Sequence, residues 1–327
     1  MKRLHALFLV IGVVLASYLI YRVGAGRLLS DLAHAGWGFA AVVAVALASI
    51  VVMAIGWKLL LDAEGGTAGL WELVGASIVG AAINFLTPGS MGGEPVKATL
   101  LKDRASPEAL LSTVLLHNIL YWFSNLLLIV LGVTLAIFLL DLPTRLTWIL
   151  VGTTLAVAVP VLIGIWLVHR GLSEKFIRLL ARLHIRFKNA DDVLAKARKA
   201  DVLVRQFRTH HPAAFYGAFL WVFFGRSLSI MEVWVILAVM GQWMSPQTAF
   251  LIQATSLIVY VLFAFIPSQL GANEGASFLL FPYLGLTATT GLAMEVLRRL
   301  RVVALVLLGL GLLALFSLRH EEVVPTT

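Results

Sequence analysis

The sequence predicts an all-α, polytopic membrane protein with about six full transmembrane helices and two re-entrant hairpins, arranged as an inverted repeat. Three observations predict this fold class. The composition is 60% hydrophobic and 13% charged with a mean hydropathy of +0.96, whereas a soluble domain carries roughly 25% charged residues. Apolar stretches of about 20 residues, the length that crosses a bilayer, recur along the chain. Two further apolar stretches end in breaks rich in Pro and Gly.

The full spans are the uninterrupted apolar stretches. They cover 6–23, 37–60, 109–139, 146–169, 213–239 and about 296–316. The first follows Lys2 and Arg3 as a secretory signal would, but it is long for a signal and no small-residue cleavage site follows it, so we expect it to be retained. Tryptophans near the ends of spans, Trp57 among them, are expected at the membrane interfaces.

A basic loop, 170–211, separates a first half, 1–169, from a second half, 212–318. Between Arg170 and His211 eleven Lys or Arg stand against four Asp or Glu, so this loop holds +7 of the formal net charge of +8. Its amphipathic pattern predicts helices on the inner leaflet that contact anionic lipid headgroups, with no nucleic acid as partner. The positive-inside rule then places this loop, the N-terminus and a short polar tail, 319–327, in the cytoplasm.

The two broken stretches are predicted to be re-entrant hairpins, 70–100 and 248–285. Irregular backbone at membrane depth is tolerated only where it is buried in protein or lines a cavity. The breaks are alike: "PGSMGGE" begins at Pro88 and "PSQLGANE" at Pro267, each with Gly four residues later and Glu soon after. A spacing of 179 residues and entry from opposite faces fit an inverted repeat whose broken helices meet near the midplane. The whole chain, 1–327, is thus one integral membrane domain.

Three segments carry a family resemblance: "NFLTPGSMGGEPVKATLL", "FIPSQLGANEGASFLL" and "EVLRRLRVVALVLLGLGLL". Together they resemble the flippase-like family named after the transmembrane region of lysylphosphatidylglycerol synthase, over nearly the whole chain. The "PSQLGANEG" form is similar to the branch associated with hopanoid biosynthesis. The resemblance implies translocation of a lipid in the cytoplasmic (inner) membrane of a bacterium. No aminoacyl-transfer domain follows residue 320, so aminoacylation of lipid is not expected.

The candidate substrate-binding residues lie in and beside the two breaks. Pro95 begins a half-helix whose N-terminal amides can hold a phosphate or a carboxylate, and Glu94 either caps these amides or competes for them. Glu94 and Glu274 are candidate proton carriers because desolvation disfavours a charged carboxylate; the alternative is a structural hydrogen bond across the two loops. The full set is Asn84, Pro88, Gly92, Gly93, Glu94, Lys97, His117, Arg226, Gln269, Gly271, Asn273, Glu274 and Arg299.

Arg226 lies at the middle of the span 213–239. A central arginine costs at least ~2.5 kcal/mol on insertion scales, so it is expected to face the protein interior. Glu232 is about 240° away around the same helix and cannot be its partner. The candidates are therefore Glu94, Glu274 or a lipid phosphate, and the plainer alternative is a structural ion pair.

Arg298, Arg299 and Arg301 precede the last span and are expected near the outer interface. There they either anchor the helix by snorkelling or place one guanidinium on a headgroup phosphate. His117 and Asn84 are polar residues that either bind substrate or join helices through hydrogen bonds.

Lipid translocation has two alternatives: a proton-coupled small-solute transporter, and a membrane-embedded lipid-modifying enzyme or accessory subunit. An enzyme would need a nucleophile, for which Ser90 and Ser268 are the candidates. No HExxH motif and no P-loop occur, so we expect no metal, no cofactor, no ATP hydrolysis and no enzymatic activity. The expected partners are membrane lipids and lipid-biosynthesis enzymes.

Overall fold

A computed structural model describes residues 36–87, 92–170, 202, 205–263 and 271–322, except for the side chains of 161, 164–170 and 317–322. Five predicted features lie outside these residues in whole or in part. They are the first span, the two breaks with Pro88 and Gln269, most of the basic loop, the nucleophile candidates Ser90 and Ser268, and the end of the tail.

The regular secondary structure within the described ranges is entirely helical, which confirms the all-α fold class. The helices are α1 (Gly38–Ala63), α2 (Leu70–Leu86), α3 (Gly93–Leu100), α4 (Pro107–Leu139), α5 (Thr144–Arg170), α6 (Pro212–Val239), α7 (Pro246–Leu262), α8 (Ala272–Leu280), a 3-10 turn (Phe281–Leu284) and α9 (Ala288–Glu322).

Four of the described helices, α1, α4, α6 and α9, are long and apolar enough to cross a membrane. The shorter apolar helices are α2, α7 and α5 over Thr144–Pro160. The chain is therefore a multi-pass membrane protein. The prediction for the last span, 296–316, was wrong in its start, because α9 begins at Ala288 and runs on through the charged stretch around Glu295. Hydropathy does not include that stretch in the span because it contains charged residues. The helix can contain them because each is paired with an opposite charge inside the protein.

Each of the two ranges predicted to be a re-entrant hairpin contains a helix, a break and a short helix. In the first half α2 ends at Leu86 and α3 runs over Gly93–Leu100. In the second half α7 ends at Leu262, and α8 with the 3-10 turn covers Ala272 to Leu284. The backbone folds back on itself in each case, since α2 packs against α3 and α7 packs against α8.

Helix α1 precedes the first hairpin and α6 precedes the second, and these two helices pack against one another in antiparallel fashion. Gly38 at the start of α1 lies against Val239 at the end of α6, and Gly56 lies against Ala218. The Ser49 hydroxyl donates a hydrogen bond to the Gly225 carbonyl oxygen between them. An inverted repeat requires that corresponding helices of the two halves run in opposite directions, as α1 and α6 do.

The hairpins share this symmetry. The first arm of each hairpin packs on the long helix of the opposite half: α2 on α9 and α7 on α4. The closest approaches are also alike, since Ala82 faces Gly309 and Ala254 faces Gly132. The first hairpin follows directly after α1 and the second directly after α6, and because those helices are antiparallel, the two hairpins begin at opposite ends of this helix pair.

Trp57 is not an interfacial residue, contrary to the prediction. Its side chain is 1% exposed, whereas that of Trp37 is 94% exposed. The Trp57 indole N–H donates a hydrogen bond of 3.4 Å to the Thr113 hydroxyl of α4. A tryptophan near a helix end is therefore part of the core here, and it lies beside the first hairpin.

Candidate functional site

Four residues join the two arms of the first hairpin: Asn84 of α2 and Gly93, Glu94 and Lys97 of α3, here termed the first break cluster. The Gly93 N–H donates a 2.7 Å hydrogen bond to Asn84 Oδ1. Asn84 Nδ2 donates to Glu94 Oε1 at 3.2 Å. Lys97 Nζ lies 3.2 Å from Glu94 Oε1 and 3.3 Å from Oε2. The carboxylate is thus held by an amide from one arm and an ammonium group from the other.

The environment of the first break cluster is apolar on the side of Lys97. The lysine is 9% exposed, and its Nζ lies 5.9 Å from the centre of the Trp57 ring. His117 of α4 lies 6.0 Å from that ring, centre to centre, with its Nε2 3.3 Å from the Met53 carbonyl oxygen. A Cβ at Gly80 would lie 2.5 Å from Lys97 Cε, so glycine makes room for the lysine stem.

Two amides at the start of α3 are bound within the first hairpin. The Gly92 N–H donates to Thr87 Oγ1 at 3.2 Å, and the Gly93 N–H is bound by Asn84. Side chains of Asn84 in α2 and of Thr87 just after it therefore cap this half-helix, and Glu94 is not its cap. The helix also begins at Gly93, which puts Pro95 at its third position. A phosphate at these amides would have to displace Thr87 or Asn84.

In the second half Gly271, Glu274 and Arg299 form a second break cluster. Gly271 has a φ of +85°, a conformation that favours glycine, and it caps α8. Its N–H donates to Glu274 Oε2 at 2.9 Å. Arg299 of α9 donates from Nε to Glu274 Oε1 at 2.6 Å and also from Nη2. Asn273 lies in the first turn of α8 and is half-buried.

Two further ion pairs lie beside the second break cluster. Arg298 Nη1 donates to Glu295 Oε1 at 3.1 Å, and their side chains are 12% and 6% exposed. Arg301 Nε lies 3.2 Å from Glu232 Oε1. The snorkelling that was one of the two alternatives for Arg298, Arg299 and Arg301 was therefore wrong. Each guanidinium faces a carboxylate of the protein interior.

Arg298 is held on all sides. Besides Glu295, its guanidinium donates to Ser256 Oγ at 2.8 Å and to Gln253 Oε1 at 2.9 Å, both on α7. Glu295 in turn accepts a 2.9 Å hydrogen bond from the Ser277 hydroxyl of α8. Arg298 and Glu295 therefore hold α7, α8 and α9 together.

Arg226 has neither of the carboxylate partners that the sequence suggests. Its Nε donates a 2.7 Å hydrogen bond to Asn125 Oδ1 of α4. Its Cζ lies 4.8 Å from the centre of the Tyr121 ring. No carboxylate in the described part of the chain lies within 4 Å of it, whereas Lys97, Arg298, Arg299 and Arg301 each have one.

The structure brings the candidates together in two groups. The first group is the first break cluster, with His117 beside it. The second group is the second break cluster. Within the described residues, no hydrogen bond joins Glu94 directly to Glu274. Arg226 belongs to neither group.

Sequence reasoning missed several polar residues of the interior. They are Tyr121, Gln253, Ser277 and Glu295. One signal could have found some of them: the second half holds three arginines next to a span and three glutamates, Glu232, Glu274 and Glu295, in apolar surroundings. Ionised groups in a membrane interior pair with one another. Tyr121 carried no such signal.

Comparison with known proteins agrees with this architecture. The family described as the lysylphosphatidylglycerol synthase TM region matches residues 6–318. A "UPF0104 membrane protein" from Methanothermobacter thermautotrophicus is 27% identical over 319 residues, which cover 92% of this chain and 91% of the relative. No solved structure matches the chain.

Proposed function

We propose that this chain, which belongs to the family of the lysylphosphatidylglycerol synthase transmembrane region, translocates a lipid or lipid-linked molecule from one leaflet to the other. One observation supports this most: each broken helix carries a glutamate that is paired with a cation inside an antiparallel, two-fold arrangement of helices. Broken helices at a repeat interface are typical of the substrate sites of transporters.

A headgroup that crosses the hydrocarbon needs polar partners on its way. The pairs Glu94–Lys97 and Glu274–Arg299 can supply them, because each member of a pair can leave its partner for a group of the headgroup. An anionic group would take the cation, and an ammonium group would take the carboxylate. In the absence of a headgroup the pair closes on itself, so that no ionised group is left without a counter-charge.

Coupling to protons is part of the proposal. Glu94 and Glu274 are the candidates, since each is held by one cation and by one N–H donor. A carboxylate that takes up a proton loses its attraction for that cation. The freed Lys97 or Arg299 could then bind a headgroup, which would link proton uptake to substrate binding.

The setting of this activity is also proposed. The basic loop directly precedes α6, whose start packs beside the end of α1, and the positive-inside rule would make this face cytoplasmic. The loop, 170–211, would contact anionic headgroups of the cytoplasmic membrane of a bacterium, and lipid-biosynthesis enzymes are candidate partners. A phospholipid is one candidate substrate. A hopanoid is a more specific one, and it is proposed only because of the "PSQLGANEG" segment.

Two other functions remain as alternatives. A proton-coupled transporter of a small solute would use the same two-fold architecture. A lipid-modifying enzyme or its accessory subunit would need a nucleophile near the glutamates. We propose that the chain has no catalytic activity of its own.

The test is leaflet exchange in liposomes that contain the purified protein. Fluorescent anionic, zwitterionic and polyisoprenoid-type lipids would be followed under a pH gradient of either sign, with uptake of small solutes into the same vesicles measured in parallel. Exchange that depends on the protein supports lipid translocation. Solute uptake without lipid exchange would contradict it.

A further inference from the structure

We infer that Arg226, Asn125 and Tyr121 form a site for a phosphate group, here termed the α4–α6 anion site. This inference deepens the proposed function and rests on it for one point, namely that the phosphate belongs to the headgroup of the carried lipid. Arg226 is at the middle of α6 and Asn125 near the middle of α4. The hydrogen bond of 2.7 Å from Arg226 Nε to Asn125 Oδ1 joins the two helices.

The free polar atoms of this site are donors. The hydrogen bond of Arg226 uses Nε, which leaves Nη1 and Nη2 without a partner among the described residues. Asn125 Nδ2 is buried and has no acceptor within the described ranges, and the whole residue is 2% exposed. Buried donors are nearly always satisfied in proteins. The missing partner is therefore an acceptor, and an oxyanion with several oxygens suits a guanidinium fork and an amide together.

The charge of the site points to the same ligand. Four cations of the described helical interior, Lys97, Arg298, Arg299 and Arg301, each face a carboxylate. Arg226 faces none among the residues described, so the site carries one positive charge that they do not balance. An uncharged headgroup would leave it unbalanced, whereas a phosphate ester would neutralise it.

The guanidinium is held in place before a ligand arrives. Tyr121 packs under it with 4.8 Å between Cζ and the ring centre, a cation–π contact that restrains the plane of the group. Arg226 is only half-buried, so a ligand can reach it. A guanidinium group that is already held in position binds a phosphate with little further loss of side-chain conformational freedom.

The α4–α6 anion site is connected to the first break cluster along α4. His117, Tyr121 and Asn125 follow one another at intervals of four residues, which places them on one face of the helix. The distance along the helix from His117 to Asn125 is about 12 Å at 1.5 Å per residue. A phosphate released by Lys97 would therefore find its next cation at Arg226, farther into the membrane.

The experiment measures lipid binding to the delipidated full chain in a lipid-free detergent by native mass spectrometry. The probes are phosphatidylglycerol, its phosphate-free counterpart diacylglycerol, and inorganic phosphate alone. We expect saturable binding of one phosphatidylglycerol molecule per chain and weaker binding of diacylglycerol. In Arg226→Gln the affinity should fall roughly 10- to 100-fold, the loss that charge-assisted hydrogen bonds predict.

Asn125→Asp is the sharper variant, because it changes the shape of the side chain very little. It removes the free Nδ2 donor and gives Arg226 a carboxylate, so the site becomes neutral and binding of phosphatidylglycerol should be lost without loss of folding. Asn118→Asp is the matched control, since it adds the same charge to α4 two turns away, and it should bind as the wild type does.

The inference is overturned if Asn125→Asp binds phosphatidylglycerol as tightly as the wild type, or if diacylglycerol binds equally well. Saturable binding of inorganic phosphate with no preference for phosphatidylglycerol would overturn the assignment of the phosphate to a lipid headgroup, in favour of the free ion. The proposed function fails separately: phosphate-dependent binding without any lipid exchange would contradict translocation alone, and exchange without such binding would contradict the anion site alone.

Discussion

The hydroxyl of Ser49 donates a 2.7 Å hydrogen bond to the carbonyl oxygen of Gly225, at the middle of both α1 and α6. These helices precede the two hairpins and run antiparallel. The bond therefore lies at the middle of their shared interface. Gly225 permits this approach, and the stability of the interface depends on it.

Gly225→Ala should destabilise the protein by about 1–3 kcal/mol, the usual cost of overpacking. The added Cβ would lie 2.6 Å from Met53 Cγ, 3.0 Å from the Met53 backbone nitrogen and 3.1 Å from the Ser49 carbonyl oxygen. The free energy of unfolding in mixed micelles measures the effect. Gly152→Ala is the control, because a Cβ there meets nothing within 4 Å, and it should be neutral or slightly stabilising.

Gly93→Ala should separate the two arms of the first hairpin. Its Cβ would lie 2.0 Å from the Gly80 carbonyl oxygen and 2.7 Å from Asn84 Cγ, so α3 must move away from α2. The hydrogen bonds of Asn84 to Gly93 and Glu94 would be lost, and lipid exchange with them. Gly275→Ala in α8, where a Cβ meets nothing within 4 Å, should retain the wild-type rate. A wild-type exchange rate in Gly93→Ala would show that exchange does not depend on the close packing of α3 on α2.

Trp57→Ala should cost about 3–5 kcal/mol of unfolding free energy, as for other buried aromatic residues. The ring is 1% exposed and packs beside Lys97 and His117. Trp37→Ala removes the same side chain from a position that is 94% exposed, and its effect should be small. Equal effects of the two substitutions would show that Trp57 is interfacial after all.

The pair of Arg298 and Glu295 should behave as a structural unit. Arg298→Leu alone leaves the buried Glu295 without its cation and should destabilise by about 3–5 kcal/mol, whereas the double variant with Glu295→Leu should lie closer to the wild type. A double-mutant cycle of unfolding free energies measures the coupling. Additive effects of the two substitutions would contradict the pair.

Much of the fold could be predicted from the sequence because hydropathy and chain breaks carry the signal. Three of the predicted spans agree with α1, α4 and α6 within a few residues. The similarity of the breaks after Pro88 and Pro267 was enough to predict two halves in opposite orientation. The antiparallel packing of α1 and α6 agrees with that prediction.

The side-chain partners could not be predicted in the same way. Glu94 and Lys97 are three residues apart and on one helix face, which a sequence reveals. The pairs Glu274–Arg299 and Glu232–Arg301 join helices that are distant along the chain, and only the packing of α6, α8 and α9 brings them together. An apolar pattern also does not tell a buried tryptophan from an interfacial one.

Lipid exchange by carboxylate variants is the decisive measurement for translocation through the two break clusters. Glu94→Gln and Glu274→Gln would be compared with the wild type in the same liposomes. Glu72→Gln is the matched control. It removes a carboxylate that pairs with Arg104 at the exposed start of the first hairpin. We expect the wild type and Glu72→Gln to exchange a labelled anionic lipid at the same rate and the other two variants to lose exchange. A wild type that moves no lipid, or Glu94→Gln and Glu274→Gln at the wild-type rate, would contradict translocation at these clusters.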